Sequence, residues 1–479
     1  MLAREFIEDS LYNPNYGYFS TKVEIFDPNH DRKTSKINGQ STSSGFDFGN
    51  MRNMREFENE VARSYGEFEG FSGGKEGPGR QVWHTPTELF KPWYGRAVAR
   101  YLVSEYMLNL YPYEDLIIYE IGAGNGSLML DILDYIREYE PQAYERTKYR
   151  IVEISERLQA VQTGKVKGGD AKSALASANR RGHDSQVQIF GGGIFNWKRV
   201  VSEPCFFIAM EVLDNLSHDI VRFTTNTPKP EPYQAIISID KAGDFEELYE
   251  PVSDPLILRY LELREKLPTH RRRLQMSPLN LLNSSPFLRR IAASMPFAPN
   301  LTTAEYLPTR QLMLLEILRS KFPAHRILWS DFDYLPDTIP GINAPVVQTR
   351  FEGETVPCTT YLVQPGYFDI FFPTDFEMLS DMYSHVMSPL YQQSYGRGRR
   401  LPVIDEAPIT ASASPRIAAD FFSPHSRQKP DGLGHASARR PKILTHAEFL
   451  ERWGETEMTR LRDGSNPLLE NYENAKFIM

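Results

Sequence analysis

The chain has 479 residues with 41% apolar content, enough for one large or two ordinary domains with insertions around a real core. Its 54 basic and 62 acidic residues leave a net charge of −8, so no whole-chain field favours nucleic acid or an anionic membrane, while a cationic substrate is welcome. Apolar runs such as Cys205 to Met210 are far below the roughly 18 residues that span a bilayer, and Cys205 and Cys358, without a C-x-x-C pair, read as buried thiols and not as a disulfide framework or a zinc site.

In chain order, Glu5, Glu8 and Asp9 interrupt any hydrophobic leader, and no Arg-rich presequence is visible. The chain begins directly in a helix, which suggests further residues upstream. Tyr12 to Ser20 is an aromatic turn punctuated by Asn and Gly, suited either to covering a ligand or to packing the first helix down. Residues 27 to 55 read as a polar loop, 55 to 70 as a helix and 71 to 80 as a Gly-rich connection. Thr85 or Thr87 is placed to cap the helix carrying Ala97 to Leu108.

The organising stretch is Leu116 to Leu128. Four apolar or aromatic residues lead into Glu120, then Gly122, Gly124 and Gly126 hand the chain to an amphipathic run, Ser127 to Tyr139. This is strand, tight turn, helix. Leu128, Ile132 and Ile136 form one stripe, with Asp131, Asp134, Arg137 and Glu138 expected outside. Glycines accept positive φ and let a ligand approach the backbone. A dinucleotide fingerprint places a third glycine where Ser127 stands, so a nicotinamide dehydrogenase is disfavoured. The pattern Glu-x-Gly-x-Gly-x-Gly resembles the S-adenosylmethionine signature of class I methyltransferases, and a positively charged sulfonium without phosphate fits it chemically. Glu120 would act on its methionyl end or on the local field, and the glycine amides would line it.

Strands and helices then alternate, which predicts a parallel-rich sheet covered on both faces. The second strand, 149 to 154, ends in Glu153, where an open α/β sheet presents a ribose-binding carboxylate. Residues 163 to 185 read as a surface excursion. After the strand 187 to 190, Gly191 to Trp197 places Ile194 or Phe195 for stacking on adenine. The fourth strand, 204 to 210, delivers Glu211 and Asp214 to the same edge. Two acids three apart can hold the planar five-donor fork of a guanidinium. His218 and Asp219 read either as a proton acceptor with its orienting acid or as a polar surface turn.

Residues 233 to 250 predict a β-hairpin, 255 to 295 helix, and Thr309 to Phe322 a helix feeding the strand 326 to 331. Pro336 to Pro345 reads as a loop over the sheet edge, expected to wall a substrate, with a late strand, Thr359 to Val363, beside it. Residues 394 to 442 read as a disordered linker, Thr445 to Trp453 as a last helix, and the remainder as tail. The expected domains are an N-terminal cap and insertion (1–95), the first part of the core (96–254), a helical insertion (255–300), the rest of the core (301–393), a linker (394–442) and a C-terminal helix and tail (443–479).

Asn13-Pro14-x-Tyr16-Gly17-Tyr18-Phe19, Thr85 to Phe90, the glycine turn, Val152-Glu153-Ile154-Ser155 and Glu211-x-x-Asp214 occur in this order. So arranged, they resemble the MidA family of class I methyltransferases, and Asp337 to Thr349 is similar to a fungal-type branch. The resemblance implies a seven-stranded Rossmann-like α/β core, S-adenosyl-L-methionine as donor, and methylation of an arginine on a respiratory complex I subunit in the mitochondrial matrix. No metal, no nucleic acid and no membrane insertion is expected, and a homodimer is left open. Carried over by position, Gly122, Gly124 and Glu153 would bind the donor, and Glu211 with Asp214 would face the substrate or the methionyl end; together with the readings above, the expected donor contacts are Glu120, Gly122, Gly124, Gly126, Glu153, Ile194 and Phe195, the catalytic acids Glu211 and Asp214, and the substrate contacts Tyr16, Tyr18, Thr85 and Glu88. Met210 stands where the family usually has Asn, and Ser217 where it commonly has Pro. The alternative is a non-catalytic assembly factor that keeps the fold.

Overall fold

The computed structural model describes residues 1–28, 36–37, 40–41, 45–70, 81–153, 174–225, 227, 229–276, 300–336, 338, 342–351, 354–388, 391 and 440–479. Seven strands make the central sheet: β1 (Leu116–Ile121), β2 (Thr147–Glu153), β3 (Val187–Gly191), β4 (Cys205–Met210), β5 (His325–Phe332), β6 (Ile443–Thr445) and β7 (Ala475–Ile478). Their spatial order is 3-2-1-4-5-7-6. β1 to β5 pair in parallel, and β7 runs antiparallel to both β5 and β6. The order reverses between β1 and β4, the switch point where the carboxyl ends of an open parallel sheet leave a crevice.

Both faces of this sheet are covered, as the continuous apolar runs of β1 and β4 require. One face packs Ile118, Tyr149, Phe206 and Leu328 against helices that include α3 (Trp93–Asn109), α4 (Ser127–Tyr139) and α8 (His446–Trp453). The other packs Tyr119, Phe207 and Trp329 against α5 (Pro255–Arg264), α6 (Thr309–Lys321) and α7 (Phe376–Val386). A third cluster joins α1 (Ala3–Tyr12) to a four-stranded antiparallel sheet through Phe6, Ile7, Ile220 and Ile237.

Local chemistry sets the helix starts. Asp254 accepts from the amides of Leu256 and Ile257, both at 2.9 Å, with Pro255 at the first helical position of α5. Thr445 and Glu448 form a reciprocal capping box on α8. Thr85 caps the short α2 (Pro86–Leu89), not the long α3, which begins after Pro92. Asp131, expected outside, is buried, because α3 and α4 meet closely at Gly95: a Cβ there would lie 2.5 Å from Asp131 Cβ.

Other expectations need correction. The late strand is not Thr359 to Val363 but the antiparallel pair Val346–Phe351 and Glu354–Cys358. Cys358 is half-buried, unlike the fully buried Cys205, and both are free thiols. The chain end is no tail, since its last four-residue strand, β7, pairs with β5 and completes the sheet. Helices cover 255 to 264 and 268 to 276, while 277–299 lie outside the described residues, as do the Gly-rich 71–80, the first part of the excursion (163–173) and nearly all of the expected linker (394–439). Among the described residues no helix is long and apolar enough to cross a membrane.

Candidate functional site

The glycine turn leaves β1 at the switch point with φ of +67° at Gly122, +50° at Gly124 and +78° at Gly126. These are left-handed conformations that a side chain resists by roughly 1–2 kcal/mol. Space forbids one as well: a Cβ on Gly124 would lie 2.5 Å from Ile25 Cδ1, and one on Gly122 2.9 Å from Val212 Cγ2. Glu88 fastens the turn from outside. Its Oε1 accepts from Ser127 Oγ at 2.7 Å and Asn125 Nδ2 at 3.3 Å, and its Oε2 pairs at 2.8 Å with Lys91, which also reaches Asp27 at 2.7 Å.

Glu120 is 3% exposed and accepts a 2.7 Å hydrogen bond from Tyr149. Burial pushes its carboxyl up to about 7, and nearby Glu153, itself buried, adds to the push. Gly193 donates its amide to the backbone carbonyl of Glu153, which brings the Ile194–Asn196 turn to the end of β2. Ile194 is buried, while Phe195 is half-buried under the guanidinium of Arg310, 5.1 Å from its ring centre.

The acid bend after β4 is held by its backbone. Glu211, with φ of +54°, is the one non-glycine residue at positive φ among those described, and its amide donates to Ser330 O at 2.9 Å. The amides of Val212, Leu213 and Asp214 all donate to Oδ2 of Asp331, at 3.2, 2.8 and 3.2 Å. Phe372 donates its amide to Asp214 O, Tyr12 its hydroxyl to Asn215 O, and Asn215 its amide group to Asp369. The two carboxylates are left over. Oδ1 of Asp214 is buried without a hydrogen-bond partner, and Glu211 has no hydrogen bond or ion pair from its side chain among the described residues. Burial, then the charge of Asp331, holds both carboxyls well above the usual range; Asp369 and Glu211 push Asp214 further. Tyr94 and Tyr472 feel the Glu211 charge from α3 and from the C-terminal segment.

The predicted residues therefore divide. Glu120, the three glycines and Glu153 gather at the carboxyl ends of β1 and β2, with Ile194 and Phe195 after β3, and Glu211 and Asp214 stand after β4. Thr85 and Glu88 belong to the mount of the glycine turn, Thr85 as the cap of α2 and Glu88 as its polar anchor. Tyr18 is fully buried, its hydroxyl between Gln81 and the indole of Trp83, so it is a core residue and not a substrate contact. Tyr16 is exposed and bonded to Asp9 on the outer surface. From the same aromatic turn it is Tyr12 that reaches the acid bend, a residue the sequence reading did not single out. Its phenol is raised by burial and by the surrounding Asp214, Asp369, Glu8 and Glu153. Asp331 and Asp369 were missed too, because their sole sequence signal is an acid beside a strand end.

His218 and Asp219 are neither a catalytic pair nor a surface turn. His218 is buried against Phe372, with ring centres 3.8 Å apart, bonded to Leu216 O and Asn343, and burial pushes it down to about 3. Asp219 pairs with Arg4 and accepts from Thr309 at 2.6 Å. Met210 receives the Tyr94 hydroxyl on its sulfur at 3.7 Å, and Ser217 is buried.

The donor set suits a cationic, phosphate-free ligand. Acids stand on three strand ends, glycines occupy the place of closest approach, and among the described residues no cation pairs with Glu211 or Asp214. A family profile described as "Putative S-adenosyl-L-methionine-dependent methyltransferase" matches residues 97–391. The chain is 24% identical over 410 residues to "Protein arginine methyltransferase NDUFAF7 homolog, mitochondrial" of Schizosaccharomyces pombe, spanning 79% of this chain and 74% of that one. It is similar to a crystal structure from Burkholderia thailandensis bound to S-adenosyl-homocysteine, at 15% identity and a TM-score of 0.46, covering 81% of this chain and 72% of that one. A native structure from the same organism matches at 13% identity and a TM-score of 0.44, over 81% and 71% of the two chains. By the match over residues 97–391, the chain belongs to the MidA-like family of S-adenosylmethionine-dependent methyltransferases, with S-adenosylmethionine as its donor.

Proposed function

We propose that the chain is a protein-arginine N-methyltransferase whose acceptor is a subunit of respiratory complex I during its assembly in the mitochondrial matrix. The observation that carries this reading is the acid bend, where the backbone groups are bonded and, among the described residues, no cation pairs with the carboxylates of Glu211 and Asp214. The Schizosaccharomyces pombe relative, named a mitochondrial protein arginine methyltransferase, supports the acceptor class and the compartment.

The donor, when bound, supplies a methyl carbon on a positively charged sulfur. Gly122, Gly124 and Gly126 would bring backbone amides against it, Glu153 would receive its ribose hydroxyls, and Glu120 would set the field near its methionyl end. Ile194 and Phe195 would bracket the adenine. On the acceptor side, an arginine with a pKa above about 12 is always a cation. Glu211 and Asp214 would take its N–H donors and polarise the guanidinium so that one nitrogen keeps its lone pair for the methyl carbon. The positive φ of Glu211 and the bonded backbone of the bend fix those acids before the substrate arrives, and such preorganisation is a main source of rate.

The test is methyl transfer from labelled S-adenosylmethionine to purified complex I subunits by the full chain, beside Glu211→Gln and Asp214→Asn. Arginine methylation by the wild type, reduced on the order of 10²–10³-fold in kcat by either substitution with donor affinity retained, is the expected result. Donor binding with no transfer to any subunit would instead favour the non-catalytic assembly factor.

A further inference from the structure

We propose that Asp331, at the end of β5, is the positioning residue of this site: it gathers the amides of the Glu211–Asp214 bend and so sets where two carboxylates it does not touch must stand. The proposal rests on the methyl-transfer reading above and adds a residue from another strand to it. One oxygen of Asp331 collects three consecutive amides, and the other accepts from Phe332 N at 2.8 Å, so all four bonds of this fully buried side chain are to backbone. Three amides can converge on one atom only if the bend is concave toward β5, and the residue at its entrance, Glu211, takes the positive φ that this curvature demands. A neutral Asn would keep one acceptor for the three amides without repelling Glu211 and Asp214, but would turn its NH2 group toward the amide of Phe332, which the second carboxylate oxygen accepts. Burial raises Asp331 itself to about 7, against the pull of the backbone amides, and once ionised its charge acts on the site by keeping both acids weak until a cation arrives. Of the titratable groups around the bend, Glu211, Asp214 and, on α3, Tyr94 feel Asp331 directly, while Asp369 and Tyr12 on α1 couple to Asp214, and Tyr472 near the chain end couples to Glu211.

Asp331→Ala and Asp331→Asn in the full chain separate the two contributions. Amide hydrogen exchange of Val212, Leu213 and Asp214 is expected to quicken at least tenfold in Asp331→Ala, and by several-fold in Asp331→Asn, because a charged acceptor bonds about twice as strongly as a neutral one. Amides of β1 and β4 keep their protection. In methyl transfer, Asp331→Ala loses kcat with donor affinity unchanged, while Asp331→Asn recovers much of kcat and moves the acidic limb of the pH profile to lower pH. Unchanged exchange of the three amides in Asp331→Asn overturns the proposal, and it does so even if Asp331→Ala does not fold. If the wild type transfers no methyl group, the functional reading fails, yet the exchange rates still decide whether Asp331 holds the bend.

Discussion

At the carboxyl edge of the sheet Glu211 and Asp214 have no matching cation among the described residues, and protonation is the consequence that can be measured. Glu211 and Asp214 are held well above ordinary carboxyl values by burial and by Asp331, so a cationic acceptor must bind their ionised forms and displace protons as it does. The kcat/KM for an arginine acceptor should therefore rise with pH through the acid limb, and titration calorimetry in buffers of different ionisation enthalpy should show proton release on acceptor binding. An acceptor that binds without moving a proton near neutral pH would contradict this. Glu120 gives a cleaner case for stability. Its ordinary value of 4.5 becomes about 7 in the fold, because burial, and then the charge of Glu153, outweigh the opposing pull of the Tyr149 hydrogen bond. A raised carboxyl favours the folded state fully below 4.5, and that advantage is lost as pH climbs through 7. Glu120→Gln keeps an acceptor for the tyrosine and removes the titration. The stability of the wild type relative to this variant should fall between pH 5 and pH 8, by up to about 3 kcal/mol. A flat difference in urea melts across that range would show that the carboxyl does not titrate there.

The glycine turn is the element on which donor binding depends, and it is held by an anchor that packs from the side. Glu88 bonds Ser127 and Asn125 while neutralising the buried Lys91, so one side chain orients the turn and also compensates a charge. Glu88→Ala should cost about 3–5 kcal/mol, since it leaves Lys91 with Asp27 alone. The double variant Glu88→Leu with Lys91→Met should recover much of that stability and still bind S-adenosyl-homocysteine more weakly than wild type, because the turn has lost its tether. Recovery of both by the double variant would reduce Glu88 to a charge partner. The turn itself was legible in the sequence, because its glycines and the stripe of Leu128, Ile132 and Ile136 are local signals. Its anchor was readable only as part of a family motif, since a bond from position 88 to position 127 has no period or spacing. Tyr12 and Tyr18 show the same limit. An aromatic turn announces itself, but whether a ring faces a site or the core depends on what packs over it, here Gln81 and Trp83 for Tyr18.

For the whole molecule, the central strands were legible because β1 and β4 are long apolar runs in an alternating series, whereas β7 has four residues and reaches β5 from about 140 residues away. Distant pairings of that kind hold the layers together, and Arg4 makes the densest of them. It bonds Asp219, the first residue of a strand of the antiparallel sheet, and pairs at 3.1 Å with Asp254, the cap of α5; Asp219 also accepts from Thr309 at the start of α6. Three elements thus meet on one guanidinium and α6 joins them through Asp219, and α1, which carries the guanidinium, ends in the Tyr12 that touches the acid bend. Arg4→Met should cost about 3–5 kcal/mol by leaving a buried acid uncompensated. Burial already raises Asp219 to about 6 with Arg4 in place, and loss of the cation raises it further. The sign follows from linkage: the contribution of a raised acid is intact below its ordinary value of 3.8 and disappears as pH passes the folded value, so the deficit of Arg4→Met should be larger at pH 8 than at pH 5. Adding Asp219→Asn should restore part of the loss and level the two pH values. Equal deficits at both pH values, with no recovery in the double variant, would mean that Arg4 contributes packing alone and that the four elements are joined by their apolar surfaces.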